Sequence, residues 1–384
     1  MKKTADIVII GGGIIGVSIA YYLGKMGAKN IVLFEKDLIG MGSTGLCAGG
    51  IRRQWSTEVN MHFGLKAFEV FQNFEEEFGA SPEFHQIGYL FLARDEEELE
   101  SFKKNIELQN RFGVPSKLLT RGEVKREWPF LNLEDVFGGA FCDTDGYAGP
   151  SEVTNAIAKG ARRHGIEIIE KAEVISIEVA RDRIVSVTTK EGSMETRTVV
   201  NAAGPYAANV GKLAGVEIPV NPIRRQLFVT DPFDKIPPSV PLTIDHKQNF
   251  YFRREMECVL LSGPQDDKPS FNLTTDFNAM VETAEKAMYR VPVFEKANIS
   301  RGWAGLYEIS PDNHAILGKV QEVEGLILAV GFSGHGFQHG PAAGMAIAEL
   351  ISNGKSETID ISPLALSRFK EGKAIKESLT AFAD

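Results

Sequence analysis

The sequence predicts an α/β protein, α+β overall, in which a Rossmann-like dinucleotide-binding domain carries an inserted domain built on an antiparallel sheet. Three observations predict this arrangement. A strand near the N-terminus leads into glycines spaced G-x-G-x-x-G, a second strand, glycine-rich turn and helix occupies residues 326–351, and residues 219–301 alternate strand-like runs with proline-rich turns. At 384 residues the chain is too long for one ordinary core, so two domains are expected.

The first unit is a βαβ motif. Residues 6–10 are rich in β-branched side chains, residues 14–25 have helical character, and residues 30–34 resemble a second strand that ends at Glu35. Strand, glycine turn, helix, strand and acid in this order are typical of dinucleotide-binding domains.

Each glycine of this motif has a mechanical role. Gly11 permits the tight turn, Gly13 lets the backbone approach a pyrophosphate, and Gly16 lets the helix pack closely on the strand. The helix N-terminus offers unpaired N–H groups to the phosphates, and Glu35 is placed to accept from ribose hydroxyls.

The same segment has a rival interpretation as a signal peptide or membrane anchor. Residues 7–24 carry no charge and follow Lys2 and Lys3. Central glycines would weaken such a helix, Asp6 opens the apolar run, and no small-residue cleavage site is evident. We therefore expect no membrane span.

Composition argues against a nucleic-acid-binding protein and against a disulfide-linked one. The net charge of −9 and the lack of a basic run with interleaved aromatics disfavour nucleic acid. The three cysteines are odd in number and contain no C-x-x-C pair, which predicts reduced thiols in a cytoplasmic protein.

The middle of the chain alternates helices and strands. The phenylalanine stripe of residues 58–78 indicates a helix packed on the core, and the acidic first turn of residues 95–112 suits a helix dipole. Further helices are predicted at 151–165, 276–290 and 341–351, and strands at 87–93, 166–169, 173–179, 184–189, 196–200, 223–230, 250–253, 258–262 and 326–330.

The second strand–turn–helix identifies the dinucleotide. Residues 331–337 form a glycine-rich turn between the strand at 326–330 and the helix at 341–351. A nicotinamide enzyme has no need of this second unit. A reduced flavin carries negative charge on its pyrimidine end, which a helix N-terminus stabilises. The sequence therefore predicts FAD.

These residues together resemble the FAD-dependent D-amino-acid oxidase superfamily. The resemblance is carried by the N-terminal motif with Glu35 and Lys36, the loop at residues 42–44, the strand end at residues 201–204 and the S-G-H-G-F turn within residues 331–337. It extends over nearly the whole chain. Within the superfamily the chain is similar to the sarcosine oxidase branch, especially the β subunits of heterotetrameric sarcosine oxidase and dye-linked L-proline dehydrogenase.

The resemblance implies a discontinuous FAD-binding domain at residues 1–80, 146–218 and 302–384, and a substrate domain at residues 81–145 and 219–301. The residues that it assigns to FAD are Gly11, Gly13, Ile14, Ile15, Gly16, Glu35, Lys36, Gly42, Ser43, Thr44, Gly49, Gly50, Ile51, Val174, Ala202, Ala203, Gly204, Trp303, Gly305, Gly331, Phe332, Gly334, His335, Gly336, Phe337 and Gln338.

The resemblance also implies a substrate site. Arg52 matches an arginine that pairs with the substrate carboxylate, a task that suits its planar fork. Tyr251 matches an active-site tyrosine, His335 is expected to contact the flavin, and Gln338 stands where monomeric sarcosine oxidases have a lysine. Glutamine can donate a hydrogen bond to the carboxylate but brings no charge.

Three departures refine the expectation. Tyr307 follows W-A-G-L where D-amino-acid and glycine oxidases have a carboxylate-binding arginine, which argues against that branch. Gly305 stands about where monomeric sarcosine oxidases attach FAD through a cysteine. We therefore expect non-covalent FAD. No lysine lies between Lys247 and Lys268 to promote reaction with oxygen, which favours a dehydrogenase or a subunit that passes electrons onward.

The implied function is FAD-dependent oxidation of the C–N bond of a small secondary or N-methylated amino acid, L-proline or sarcosine, to an imine. Electrons would pass to a carrier or a partner such as an α subunit. Two alternatives remain open: a glycine or D-amino-acid oxidase that uses oxygen, and a FAD-binding subunit that is inactive without its partners.

His335 and His339 are four residues apart and could bind zinc if they lay on a helix. The glycines around them predict a loop, so no metal is expected.

Overall fold

The computed structural model describes residues 3–377 and residue 379. Its helices are α1 (Ile14–Lys25), α2 (Glu58–Gln72), α3 (Phe74–Phe78), α4 (Glu96–Arg111), α5 (Arg121–Glu127), α6 (Pro150–Arg163), α7 (Ala207–Leu213), α8 (Phe277–Arg290) and α9 (Gly336–Asn353). Its strands are β1 (Ile7–Ile10), β2 (Ile31–Phe34), β3 (Gly50–Ile51), β4 (Tyr89–Ala93), β5 (Lys117–Thr120), β6 (Gly138–Cys142), β7 (Gly146–Tyr147), β8 (Glu167–Ile169), β9 (Val174–Ala180), β10 (Arg183–Thr189), β11 (Gly192–Glu195), β12 (Val199–Asn201), β13 (Asn221–Thr230), β14 (Leu242–Asp245), β15 (Phe250–Glu255), β16 (Cys258–Gln265), β17 (Ile299–Ile309), β18 (Ile316–Lys319) and β19 (Leu326–Val330).

A six-stranded sheet forms the first layer, in the order β18-β19-β12-β1-β2-β8. All its neighbours pair in parallel except β18 with β19. Its central strands are buried on both faces, as parallel sheets require. One face packs on α1, α6 and α9, and the other on α7 and the meander β9-β10-β11. The predicted Rossmann-like unit is confirmed.

A larger sheet forms the second layer, in the order β17-β13-β16-β15-β14-β4-β6-β5. It is antiparallel except where β14 runs parallel to β4, in agreement with the predicted antiparallel sheet. The predicted domain boundary between residues 301 and 302 lies inside β17, which pairs with β13 from Ile299 to Ile309. The domain division stays a prediction, and its residues 1–2, 378 and 380–384 lie outside the described residues.

The expected loop around the C-terminal histidines is wrong. Helix α9 begins at Gly336, so His339 is helical and His335 is the residue that precedes the helix. The reason is packing against α1: a Cβ on Gly340 would lie 2.6 Å from Ile14 Cγ1, and a Cβ on Gly344 would lie 2.4 Å from Ser18 Cβ. The glycines that weaken a helix locally are the ones that allow two helices to touch.

Two smaller differences concern helix and strand ends. The predicted helix at 58–78 is interrupted at Asn73 and forms α2 and α3. The predicted return strand at 196–200 starts later than expected, because β11 ends at Glu195 and β12 starts only at Val199. No helix in the described part of the chain is both long enough and apolar enough to cross a bilayer.

Candidate cofactor and substrate site

A deep cleft lies between the two sheets. Its floor follows the carboxyl ends of β1, β12 and β19, and its far wall consists of side chains from β4, β14, β15 and β17. The cleft holds about 1730 Å³ of space free of protein atoms, including its open mouth. The carboxyl ends of parallel strands are where α/β sheets bind ligands.

Glycines of the first turn bring backbone to the cleft edge. Gly11 has φ +113°, and a Cβ there would lie 2.3 Å from the Ala202 carbonyl oxygen. A Cβ on Gly16 would lie 1.9 Å from the Gly11 carbonyl oxygen. The turn is therefore closed against both β12 and α1, and only glycine fits at either position.

Polar groups at this end of the cleft are held in place. Glu35 Oε2 accepts from the Gly12 N–H at 2.6 Å, and Glu35 Oε1 accepts from the Asp37 N–H at 2.8 Å. The Ile14 N–H at the start of α1 donates to Thr44 Oγ1 at 3.1 Å. A fixed carboxylate next to a glycine turn and a helix N-terminus fits the ribose and pyrophosphate of a dinucleotide.

Arg52 and Gln338 lie together at the other end. The Arg52 N–H donates to Gln338 Oε1 at 2.9 Å. The Arg52 guanidinium stacks 3.7 Å from the centre of the Trp55 ring and donates to the carbonyls of Gln54 and Leu379. Burial lowers the pKa of this guanidinium, yet arginine keeps its charge at any physiological pH.

Three tyrosines complete this end: Tyr89 and Tyr251 are buried, and Tyr307 is half-buried. Burial raises the pKa of each phenol above its ordinary value, so all three are neutral hydroxyls at pH 7. Arg225 lies behind them, 5.1 Å from the Tyr307 ring centre, with Nη1 donating to Asn249 Oδ1 at 3.0 Å. Burial lowers the pKa of Arg225 to about 10.

The two histidines pack against Trp55. Ring centres are 5.1 Å apart for His335 and Trp55, and 4.6 Å apart for His339 and Trp55. Burial holds the pKa of both imidazoles well below the usual value, so both are neutral at pH 7. His335 lines the cleft, whereas His339 packs behind it.

Most of the predicted site residues meet in this cleft. Those that line it are Gly11, Gly13, Ile14, Ile15, Glu35, Lys36, Gly42, Ser43, Thr44, Gly49, Gly50, Arg52, Ala202, Ala203, Gly204, Tyr251, Phe332, Gly334, His335, Gly336, Phe337 and Gln338. Those that do not line it are Gly16, Ile51, Val174, Trp303, Gly305 and Gly331.

The residues away from the surface of the cleft support it instead. Val174 is a core residue at the start of β9, and Ile51 pairs with Gly146 in the β3–β7 ladder. Trp303 Nε1 donates to the Leu46 carbonyl at 2.9 Å, and a Cβ on Gly305 would lie 3.1 Å from Leu46 Cβ. Both therefore pack on Leu46, which lines the cleft.

Sequence reasoning missed several lining residues: Tyr89, Leu242, Ile244, Tyr307 as a site residue, and Glu308. Only the last two had a usable signal, because they directly follow the W-A-G-L stretch. The others lie on strands whose inward faces become apparent only once the sheet is assembled.

A known protein family and a solved structure match nearly the whole chain. Residues 6–350 match the family model described as FAD dependent oxidoreductase. The solved L-proline dehydrogenase from P. horikoshii is 35% identical and superposes with a TM-score of 0.90, covering 97% of this chain and 99% of that chain.

Curated relatives are also similar. Mitochondrial sarcosine dehydrogenase of Mus musculus is 30% identical over 93% of this chain, and the chain spans only 40% of that relative's length. Sarcosine oxidase subunit beta of Rhodobacter capsulatus is 26% identical over 99% of this chain and 92% of its own length. The family match and the glycine turn at the cleft lead to one conclusion: the chain belongs to the FAD dependent oxidoreductase family and uses FAD.

Proposed function

We propose that this chain oxidises the C–N bond of a small secondary or N-methylated amino acid, with L-proline and sarcosine as the first candidates, to an imine. The observation that carries the proposal is the joined pair of Arg52 and Gln338 beside three neutral tyrosines in the FAD cleft. The chain's similarity to an L-proline dehydrogenase and to sarcosine-oxidising proteins supports this choice of substrates.

The side chains divide the work. Arg52 binds the substrate carboxylate, which displaces its bond to the Leu379 carbonyl, and Gln338 fixes the Arg52 backbone. The positive charge of Arg52 and the low-dielectric wall of tyrosines lower the pKa of the bound ammonium group, so the amine is held as the free base. Bound FAD supplies the acceptor for the two electrons and the hydrogen of the C–H bond. No additional base is needed for a neutral amine.

Anaerobic mixing tests the substrate class. The yellow protein is mixed with L-proline and sarcosine, and in parallel with glycine and D-alanine, while flavin absorbance is recorded. We expect bleaching by L-proline or sarcosine alone. Bleaching by glycine or D-alanine instead would overturn the assignment in favour of the oxidase alternative, and no bleaching by any of them would contradict activity of the isolated chain.

We also propose that the reduced flavin passes its electrons to a carrier or a partner subunit and not to oxygen. The similarity to a protein named as a subunit supports this, as does the absence of lysine between Lys247 and Lys268 on β15 and β16. The reduced protein should be reoxidised faster by an artificial dye than by air-saturated buffer. Faster reaction with oxygen, with peroxide as product, would contradict the proposal.

FAD is proposed to be held without a covalent bond. Gly305 offers no side chain, and the cysteine that lines the cleft, Cys47, has its thiol pKa raised to about 11 by burial, which disfavours the reactive thiolate. Acid precipitation should therefore leave a colourless pellet and a yellow supernatant. A yellow pellet that turns colourless in Cys47→Ser but not in Cys258→Ser would show attachment at Cys47.

A cytoplasmic location is part of the proposal. Cys47, Cys142 and Cys258 are all free thiols, the state that a reducing compartment maintains.

A further inference from the structure

Glu308 is a buried carboxyl group in the cofactor cleft that the proposed reaction does not use. It lies on β17, and its side chain lines the cleft between Gly204, which follows β12, and the turn that precedes α9. Glu308 Oε2 accepts from the Gly331 N–H at 3.1 Å. The Glu308 carbonyl accepts from the Ser333 N–H at 3.1 Å.

The other carboxyl oxygen lies close to glycine backbone. Glu308 Oε1 lies 3.8 Å from the position that a Cβ on Gly336 would occupy, and Oε2 lies 3.9 Å from that position at Gly204. Within residues 3–377 and 379, no side chain or backbone group donates to Oε1. One oxygen is thus fixed by the protein and the other is available to a ligand in the cleft.

No cation neutralises this carboxyl group among the described residues. The residue opposite on β13 is Pro222. The charged and titratable neighbours on the surrounding elements have other partners or are neutral: Arg224 binds Asp266 and Asp276, Arg225 lies against Tyr307, Asp312 pairs with Arg368, Lys36 stacks on Tyr206, and His335 and His339 are uncharged. Burial outweighs the effect of the Gly331 and Phe332 N–H groups and raises the pKa of Glu308 to about 7.

FAD brings further negative charge into the same cleft. Its pyrophosphate is anionic, and an ionised carboxylate facing the cofactor would be repelled in a low-dielectric site. A protonated carboxyl group has the opposite effect, because it becomes a hydrogen-bond donor. Since the Gly331 N–H occupies Oε2, the proton belongs on Oε1, the oxygen that faces the cleft.

We propose that Glu308 binds FAD as a neutral carboxylic acid, accepting the Gly331 N–H bond at Oε2 and donating its Oε1 proton to an acceptor atom of the cofactor. The proposal concerns the affinity for FAD and does not depend on which amino acid the enzyme oxidises.

The pH dependence of FAD affinity tests it. Above about pH 7 the flavin-free chain loses the Glu308 proton, and binding must take one up, so the dissociation constant should rise up to about tenfold per pH unit. The constant is measured by flavin fluorescence on dilution of the holoprotein between pH 6.5 and 8.5. Glu308→Gln keeps an acceptor and a permanent donor, so its FAD affinity should stay near the wild-type value at pH 6.5 and vary much less with pH.

The control is Glu285→Gln, an exposed carboxylate on α8, which should retain the wild-type pH dependence. Equal pH dependence in wild type and Glu308→Gln would overturn the proposal. Should Glu308→Gln fail to fold, calorimetric titration of the flavin-free wild-type chain with FAD at pH 8, in two buffers of different ionisation enthalpy, decides the question. We expect an uptake that approaches one proton per FAD, and zero uptake would overturn the proposal.

Discussion

Replacement of Gly16 by alanine is expected to abolish FAD binding and to lower the free energy of unfolding by about 3 kcal/mol or more. The new Cβ would lie 1.9 Å from the Gly11 carbonyl oxygen. That atom belongs to backbone and cannot rotate away, so α1 must move off the turn. Because a Cβ on Gly11 would itself lie only 2.3 Å from the Ala202 carbonyl oxygen, the displaced turn has no room to follow. Thermal unfolding and flavin fluorescence measure the two effects.

The matched control for this prediction is Gly122→Ala in α5. A Cβ there meets only Thr120 Oγ1, at 4.0 Å, and alanine is the better helix former. Gly122→Ala should keep FAD and unfold at the wild-type temperature or slightly above it. A Gly16→Ala protein that retains FAD and unfolds with the wild type would contradict the described turn geometry.

Replacement of Arg52 by methionine is expected to lower kcat/KM for L-proline by about 10- to 150-fold, the equivalent of losing about 1.5–3 kcal/mol of charge-assisted hydrogen bonding. Methionine keeps an apolar stem against Trp55 but removes the fork that holds the carboxylate. FAD should remain bound, since the guanidinium donates to the Gln54 and Leu379 carbonyls and not to Glu35 or the first glycine turn.

A substrate without a carboxylate separates binding from structural damage. Pyrrolidine has the ring of L-proline but no carboxylate, so its kcat/KM should be nearly the same in wild type and Arg52→Met. The control Arg301→Met alters an exposed arginine on β17 and should change neither substrate. Unchanged kcat/KM for L-proline in a flavin-loaded Arg52→Met would exclude the proposed role, and equal losses for both substrates would indicate a structural role only.

The part of the cofactor site formed by the first glycine turn and the acid after β2 can be predicted from the sequence, because local steric constraints determine it. Gly11 and Gly16 must lack a Cβ wherever this turn occurs, and the acid at the end of β2 lies at a fixed distance along the chain. Such features depend on a few neighbouring residues, so their spacing alone predicts them.

The remaining features depend on contacts between distant segments. Gly340 argues for a loop when only its neighbours are considered, and for a helix once α1 is placed beside it. Tyr89 and Ile244 line the same cleft as Arg52 only when β4 and β14 pair in the large sheet. Glu308 resembles a surface carboxylate on an edge strand until the turn after β19 folds over it.

The pairing of α1 with α9 also bears on how the molecule acquires its shape. Strand β1 lies next to β12, and β12 lies next to β19, so the middle of the first sheet gathers segments from the beginning, centre and end of the chain. Closing such long loops before their contacts form is entropically costly, and topologies of this kind fold slowly. During synthesis the floor of the cleft cannot be complete until β19 and α9 have left the ribosome. FAD therefore binds late in the folding of each chain. The folding intermediates that form before FAD binds expose the apolar residues of α1 that α9 later covers.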